Sequence, residues 1–69
     1  MKILEMSNLS QDPKDRILWL LSEHGGKMER SRLRARANMK YARLNWLLDE
    51  LVREGRIRIS GEFVILAGY

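Results

Sequence analysis

Basic side chains are concentrated in the middle of this 69-residue chain. Residues 1–26 carry three basic and four acidic side chains, whereas residues 27–58 carry ten basic and four acidic ones, a local charge of +6. Neutralising a nucleic-acid phosphate releases condensed counterions, so clustered cations favour binding to a polyanion. Most of the ten are arginines, whose forked guanidinium suits phosphates and guanine edges, although arginine-rich surface ion pairs are an alternative interpretation. The ten are Lys27, Arg30, Arg32, Arg34, Arg36, Lys40, Arg43, Arg53, Arg56 and Arg58.

Side chains with catalytic chemistry are not spaced for catalysis. Asp49 and Glu50 are adjacent in sequence, so they diverge on a helix and cannot form a paired general acid and base. The single histidine, His24, has no companion metal ligands, and we expect it to interact with carbonyls at the end of a helix. The Gly25–Gly26 pair lacks the Gly-Lys-Ser/Thr that completes a phosphate-binding loop. We therefore expect no enzyme activity, metal, cofactor or small-molecule ligand.

The first helix is predicted from Pro13 to about His24. Asp12 is of a residue type that caps helix N-termini, and proline is favoured at the first helical position. Gly25–Gly26 is predicted to end this helix, because glycine readily adopts the left-handed conformation that terminates helices. One face is apolar, comprising Ile17, Leu18, Leu20 and Leu21.

Two further helices are predicted at residues 30–37 and about 40–54. The first of these has few inward apolar positions, namely Leu33 and Ala37 with help from Ala35. Gly55 ends the longer one. Its inward positions are predicted to be Tyr41, Leu44, Leu47, Leu48, Leu51 and Val52.

A two-stranded hairpin is predicted at the end of the chain. The apolar period changes to two in residues 56–59, residues 60–62 turn, and residues 63–66 form the second strand. Lys27 and Met28 are predicted to be a short extended link. The fold class is therefore mainly α with a small β-hairpin (α+β), with an N-terminal arm at residues 1–11 and one domain at residues 12–69.

The composition also bears on the source of stability and on the expected cellular location. The chain has no cysteine, so apolar packing or oligomerisation must supply its stability. No segment approaches the apolar length of a membrane span, and the start of the chain lacks a secretory leader. We therefore expect a cytoplasmic protein that does not associate with membranes.

Two stretches resemble the winged helix-turn-helix family, in particular small archaeal or viral transcriptional regulators. ILWLLSEHGG, residues 17–26, resembles the family's first helix, and LLDELVREGRIRI, residues 47–59, resembles the end of its recognition helix and the first wing strand. The resemblance covers roughly residues 13–66. It implies a helix-turn-helix at residues 30–54, a third helix in the major groove of double-stranded DNA, and a wing beside the flanking phosphates.

The resemblance also implies roles for individual residues. Base contacts are expected from Arg43, which suits guanine, from Asn45, which suits adenine, and from Trp46. Tyr41 shares the stripe of Leu44 and Leu48, which favours core packing, but its hydroxyl is also a candidate phosphate contact. The expected phosphate contacts are Arg30, Arg32, Arg34, Lys40, Tyr41, Arg56 and Arg58.

A homodimer is expected, because one recognition helix makes few base contacts. The N-terminal arm, Trp19 and the last strand are the candidate interfaces. Trp46 is predicted to be exposed, where it contacts DNA, contacts a partner or folds over its neighbours. A winged-helix module that docks proteins through Trp46 is the main alternative function, and an enzyme subunit or nuclease is the weaker one.

Overall fold

The structure is a computed structural model that describes residues 12–68. Over this range the fold is α+β, with three helices and a three-stranded antiparallel sheet, which confirms the predicted helices and hairpin. The N-terminal arm predicted at residues 1–11 lies outside the described residues. In chain order the elements are α1 (Pro13–Glu23), β1 (Lys27–Glu29), α2 (Arg30–Ala37), α3 (Tyr41–Arg53), β2 (Ile57–Ser60) and β3 (Phe63–Leu66).

Both ends of α1 have the predicted caps. The Lys14 amide donates to Asp12 Oδ1 at 3.0 Å, and Pro13 occupies the first turn, where its missing N–H has no helical partner to lose. At the other end His24 Nδ1 donates to the carbonyl oxygen of Leu20 at 2.8 Å, which confirms the role predicted for this histidine. The amide of Gly26 then closes the last turn onto the carbonyl of Leu21 at 2.8 Å.

The sheet contains one strand more than the sequence predicted. Lys27 and Met28 are not a simple link, because they belong to β1, which pairs with β3 in the order β1-β3-β2. The added strand is only three residues long, too short for its alternation to stand out in the sequence. Gly61 has a φ of 59° in the two-residue loop between Ser60 and Phe63, a conformation that suits a tight hairpin.

A single apolar cluster holds the elements together. Side chains from all three helices and all three strands contribute to it, and α1 packs against both α2 and α3. Three positions predicted to face inward are exposed instead: Ala35, Tyr41 and Val52. Tyr41 and Val52 lie at one margin of the α3 stripe, where they are 47% and 41% exposed. The buried members are Ile17, Leu20, Leu21, Met28, Leu33, Ala37, Leu44, Leu47, Leu48, Leu51, Ile57 and Val64.

Candidate nucleic-acid interface

A three-residue turn joins α2 to α3. Asn38 ends α2 in the left-handed conformation, with φ 57° and ψ 52°, and its amide donates to the carbonyl of Arg34 at 2.9 Å. Asparagine tolerates this conformation better than most residues because its short polar side chain can hydrogen-bond locally. Met39 and Lys40 complete the turn, and Lys40 is the N-cap of α3. Residues 30–53 therefore form two helices joined by a three-residue turn.

The candidate base contacts do not share one face of α3. Arg43 and Asn45 are two residues apart, which on an α-helix is a rotation of about 200°. Both are exposed, but they lie on opposite flanks of the helix. Trp46, whose side chain is 61% exposed, lies on the outward side between them. The structure therefore separates residues that the sequence grouped together.

One flank of α3 borders a groove that also reaches the sheet. Arg30 Nη1 donates to Asn45 Oδ1 at 3.2 Å, so the start of α2 orients the carboxamide on α3. Trp46, Val52 and Ile59 are exposed apolar side chains, and all three line this groove. The Arg30 groove, as we call it, is lined by Arg30, Asn45, Trp46, Leu48, Asp49, Val52 and Ile59.

The opposite flank of α3 borders a second, strongly cationic concavity. Arg16 of α1, Lys40 and Arg43 line it, together with residues 37–39 of the turn and Pro13. Arg16 Nη1 donates to the carbonyl oxygen of Ala37 at 3.3 Å, which places the guanidinium at the C-terminal end of α2. Among residues 12–68, those that line this Arg16 pocket include no acidic side chain.

Arg34 and Tyr41 form a contact across the turn. The Arg34 guanidinium carbon lies 4.9 Å from the centre of the Tyr41 ring, and Arg34 Nη1 donates to the carbonyl oxygen of Met39 at 3.5 Å. Arg34 Nε is buried and has no hydrogen-bond partner among the residues that the structure describes. Tyr41 is 47% exposed, so the prediction that it packs in the core is wrong. Its stacking with Arg34 explains how an exposed aromatic is accommodated beside the turn.

Arg32 lies apart from the candidate residues of α3. It lines a concavity with His24, residues of β1 and Phe63, none of which belongs to α3. Arg32 is two residues from Arg30, so the two side chains leave α2 on different sides. The Lys27 ammonium lies 4.9 Å from the centre of the Phe63 ring in the same region.

The two wing arginines differ in their surroundings. Arg56 precedes β2, and its Nε lies 3.6 Å from Glu54 Oε1. Arg58 lies within β2 opposite Ile65, whose other neighbour across the sheet is Lys27, so a cation flanks Ile65 on each side. The hairpin tip is short and bonded to the helical layer, because the Arg30 amide donates to the carbonyl of Glu62 at 2.8 Å.

Acidic residues of α3 and its C-cap are paired with cations. Lys14 Nζ lies 2.6 Å from Glu54 Oε2 and 3.7 Å from Glu50 Oε1, and Arg53 Nη2 lies 3.3 Å from Asp49 Oδ2. The hydrogen bond from Lys14 lowers the pKa of the Glu54 carboxyl and raises the pKa of Lys14. The half of α3 that begins at Lys40 exposes no carboxylate, whereas the two carboxylates of the other half and that of the C-cap, Asp49, Glu50 and Glu54, are all paired.

Two features of this surface were not predicted from the sequence. Arg16 was not a candidate, because nothing in the α1 pattern indicates that its side chain reaches α2. The groove shared by Ile59 and Trp46 was also not predicted, since it depends on how the hairpin packs on α3. One local signal was available: Lys40 stands at a helix N-cap, where Ser, Thr, Asp or Asn is usual.

The described part of the chain contains no helix long and apolar enough to cross a membrane. Residues 12–68 also hold no group of three or more His, Cys, Asp or Glu side chains placed to bind a metal ion. Comparison with protein-family models, curated proteins and solved structures finds no match to this chain.

Proposed function

We propose that this chain is a winged helix-turn-helix that binds double-stranded DNA and regulates transcription. The order helix, strand, helix, helix, hairpin and the sheet order β1-β3-β2 are consistent with a winged-helix layout. The functional proposal rests on one observation about the charges of α3. The N-terminal half of α3 exposes Lys40, Arg43 and Asn45 without a carboxylate, and every carboxylate of the C-terminal half is paired with a cation.

This charge distribution fits insertion of the N-terminal half of α3 into a major groove. The groove of B-DNA is about 12 Å wide, close to the diameter of a helix with its side chains, so opposite flanks of α3 face opposite groove walls. Trp46 on the outward side and Asn45 beside it then face the base edges. Arg30 holds Asn45 Oδ1, which fixes the carboxamide orientation while leaving Nδ2 to donate.

We propose that the chain binds DNA as a homodimer, because two copies make more base contacts than one. Two copies would place two α3 helices in major-groove half-sites about one helical turn apart. Trp19 supports such an association, because it is 59% exposed on α1, on the side of that helix away from Ile17 and Leu21.

The first test is selection from a randomised duplex pool with the full chain, followed by affinity measurements on the selected sequences. We expect the natural chain to enrich a defined sequence, and Asn45→Ala to lose the preference at one or two positions, where each good base contact contributes about 1–3 kcal/mol. Ser22→Ala on α1 is the control and should keep the full preference. Binding without any preference among sequences would contradict base reading by α3.

The Arg30 groove favours a second candidate function, docking of a protein partner. Trp46, Val52 and Ile59 expose apolar surface in one concavity, and aromatic side chains are common anchors of protein interfaces. In that case Trp46→Ala abolishes partner binding, and association persists at high salt. DNA binding that weakens steeply with salt would instead favour the first candidate.

A further inference from the structure

A cation from α2 holds the end of the Asn45 side chain on α3. Arg30 Nη1 donates to Asn45 Oδ1 at 3.2 Å. Arg30 is the first residue of α2 and directly follows β1, and its amide donates to the carbonyl of Glu62 at 2.8 Å, so its backbone is attached to the sheet. Asp49 lines the same groove, but its carboxylate is paired with Arg53 at 3.3 Å. Among the residues that the structure describes, the Arg30 guanidinium is therefore bonded to the Asn45 carboxamide and not to this carboxylate.

The contact determines which way the carboxamide faces. A guanidinium has five N–H donors and no acceptor, so it can meet only the oxygen of a carboxamide. Oδ1 of Asn45 therefore lies against Arg30, and the hydrogens of Nδ2 are left for another partner. Because Asn45 is exposed on α3, its tip presents these donors to the solvent. The guanidinium of Arg30 adds further donors beside them.

The purine bases of DNA differ in how well they match a group that only donates. In the major groove guanine presents two acceptors, N7 and O6, whereas adenine presents the acceptor N7 beside the donor N6. Asparagine ordinarily pairs with adenine, because its oxygen accepts from N6 while its nitrogen donates to N7. In this chain the adenine amino group would approach an oxygen that already accepts from a cation. Guanine avoids this conflict, and a neighbouring cation strengthens hydrogen bonds to its acceptors.

We propose that Arg30 is a positioning residue that makes Asn45 select guanine over adenine in the major groove. This selection rests on the proposed function, since it concerns a base that α3 reads. Arg30 thereby contributes to sequence preference, whereas the resemblance implied only a phosphate contact for it. The preference also differs from the adenine contact expected of Asn45 from its residue type alone.

The test is selection from a randomised duplex pool with the natural chain, Arg30→Met and Arg32→Met. Each variant removes one arginine of α2, but only Arg30 contacts Asn45. The natural chain and Arg32→Met should prefer guanine over adenine by about tenfold at the position where Asn45→Ala loses its preference. Arg30→Met releases Oδ1, so its preference at that position should change to adenine. A uniform loss of affinity with an unchanged guanine preference would show that Arg30 contacts phosphate alone, which would refute the proposal.

A double variant tests whether Arg30 acts through Asn45. In the Asn45→Ala background, Arg30→Met should change the ratio of guanine to adenine at this position by less than about twofold, because no carboxamide is left to orient. An equal change with and without the Asn45 side chain would mean that Arg30 reads the base directly, and the positioning role would be wrong.

NMR of the free full chain separates failure of this proposal from failure of the proposed function. The Nδ2 hydrogens of Asn45 give side-chain resonances that Arg30→Met should shift and Arg32→Met should leave in place. If the natural chain enriches a sequence but Arg30→Met does not move these resonances, Arg30 does not hold Asn45, and the proposal is wrong while DNA binding stands. If Arg30→Met moves them but the natural chain binds no duplex, the positioning contact is supported and the proposed function fails.

Discussion

The affinity for duplex DNA should depend steeply on salt, with a slope that the arrangement of cations determines. Four cations beside α3 have no ion-pair partner within the described residues: Arg30, Arg34, Lys40 and Arg43. If each neutralises one phosphate, the logarithm of the association constant falls with the logarithm of salt concentration with a slope of about −3.6 per bound copy. Between about 50 mM and about 200 mM salt, the affinity then falls about 150-fold.

Fluorescence anisotropy of a labelled duplex at several salt concentrations measures this slope, and two variants test its origin. Arg43→Ala removes an unpaired cation and should make the slope shallower by about 0.9. Arg53→Ala removes the same charge, but Arg53 is already paired with Asp49 at 3.3 Å and Glu50 at 3.5 Å, so its slope should stay close to that of the natural chain.

A slope near zero for the natural chain would show that these cations do not neutralise DNA phosphates. Equal flattening by the two variants would contradict the expected difference between them, because net charge and not the position of each cation would then control binding. A slope near zero together with tight binding of a protein would favour docking through the Arg30 groove.

Three other predictions concern the fold. Leu51→Ala should lower the free energy of unfolding by about 2–5 kcal/mol because Leu51 is fully buried. Val52→Ala should lower it far less because Val52 is 41% exposed. Urea denaturation compares the two variants, and equal losses would contradict the assigned faces of α3. Lys14 lowers the pKa of the Glu54 carboxyl, so the natural chain should be more stable than Lys14→Met above pH 4.5, where this carboxyl is ionised. The difference in stability should shrink as the pH falls through the lowered pKa of Glu54. Thermal melts over this pH range measure the difference, and a pH-independent difference would contradict the pairing. Asn38→Ala should lower the free energy of unfolding by about 1 kcal/mol because Asn38 has a φ of 57°, and Asn38→Gly should lower it less. The melting temperatures of the two variants check this order. A larger loss of stability with glycine would argue against the left-handed turn.

Local chemistry made the helices predictable. Asp12 and Pro13 mark the start of α1, and glycines follow α1 and α3 where their positive φ ends each helix. Apolar side chains at helical spacing identified most of the buried face of α3, because a helix next to a single core must present one stripe to it. Strand β1 escaped prediction, since three residues carry too little pattern to separate a strand from a link.

The composition of the candidate interface was predictable in part, because a cluster of ten cations in residues 27–58 is visible without a fold. The division of these residues between the two flanks of α3 was not predictable from the sequence. The rotation between Arg43 and Asn45 follows from helix geometry, but which neighbour each one meets depends on the packing of α3 against the other elements. Arg30 reaches Asn45 from α2, and Ile59 reaches the same groove from β2.

The sequence by itself therefore determined the helices, the hairpin, most of the core and the concentration of positive charge. These features depend on residue type and on neighbours within one or two turns of the chain. Only the tertiary structure decided that β1 joins the sheet, that Arg16 lines the same concavity as Lys40 and Arg43, and that Tyr41 and Val52 remain exposed. Each of these depends on contacts between segments far apart in sequence, which the shared apolar core brings together and which no local pattern encodes.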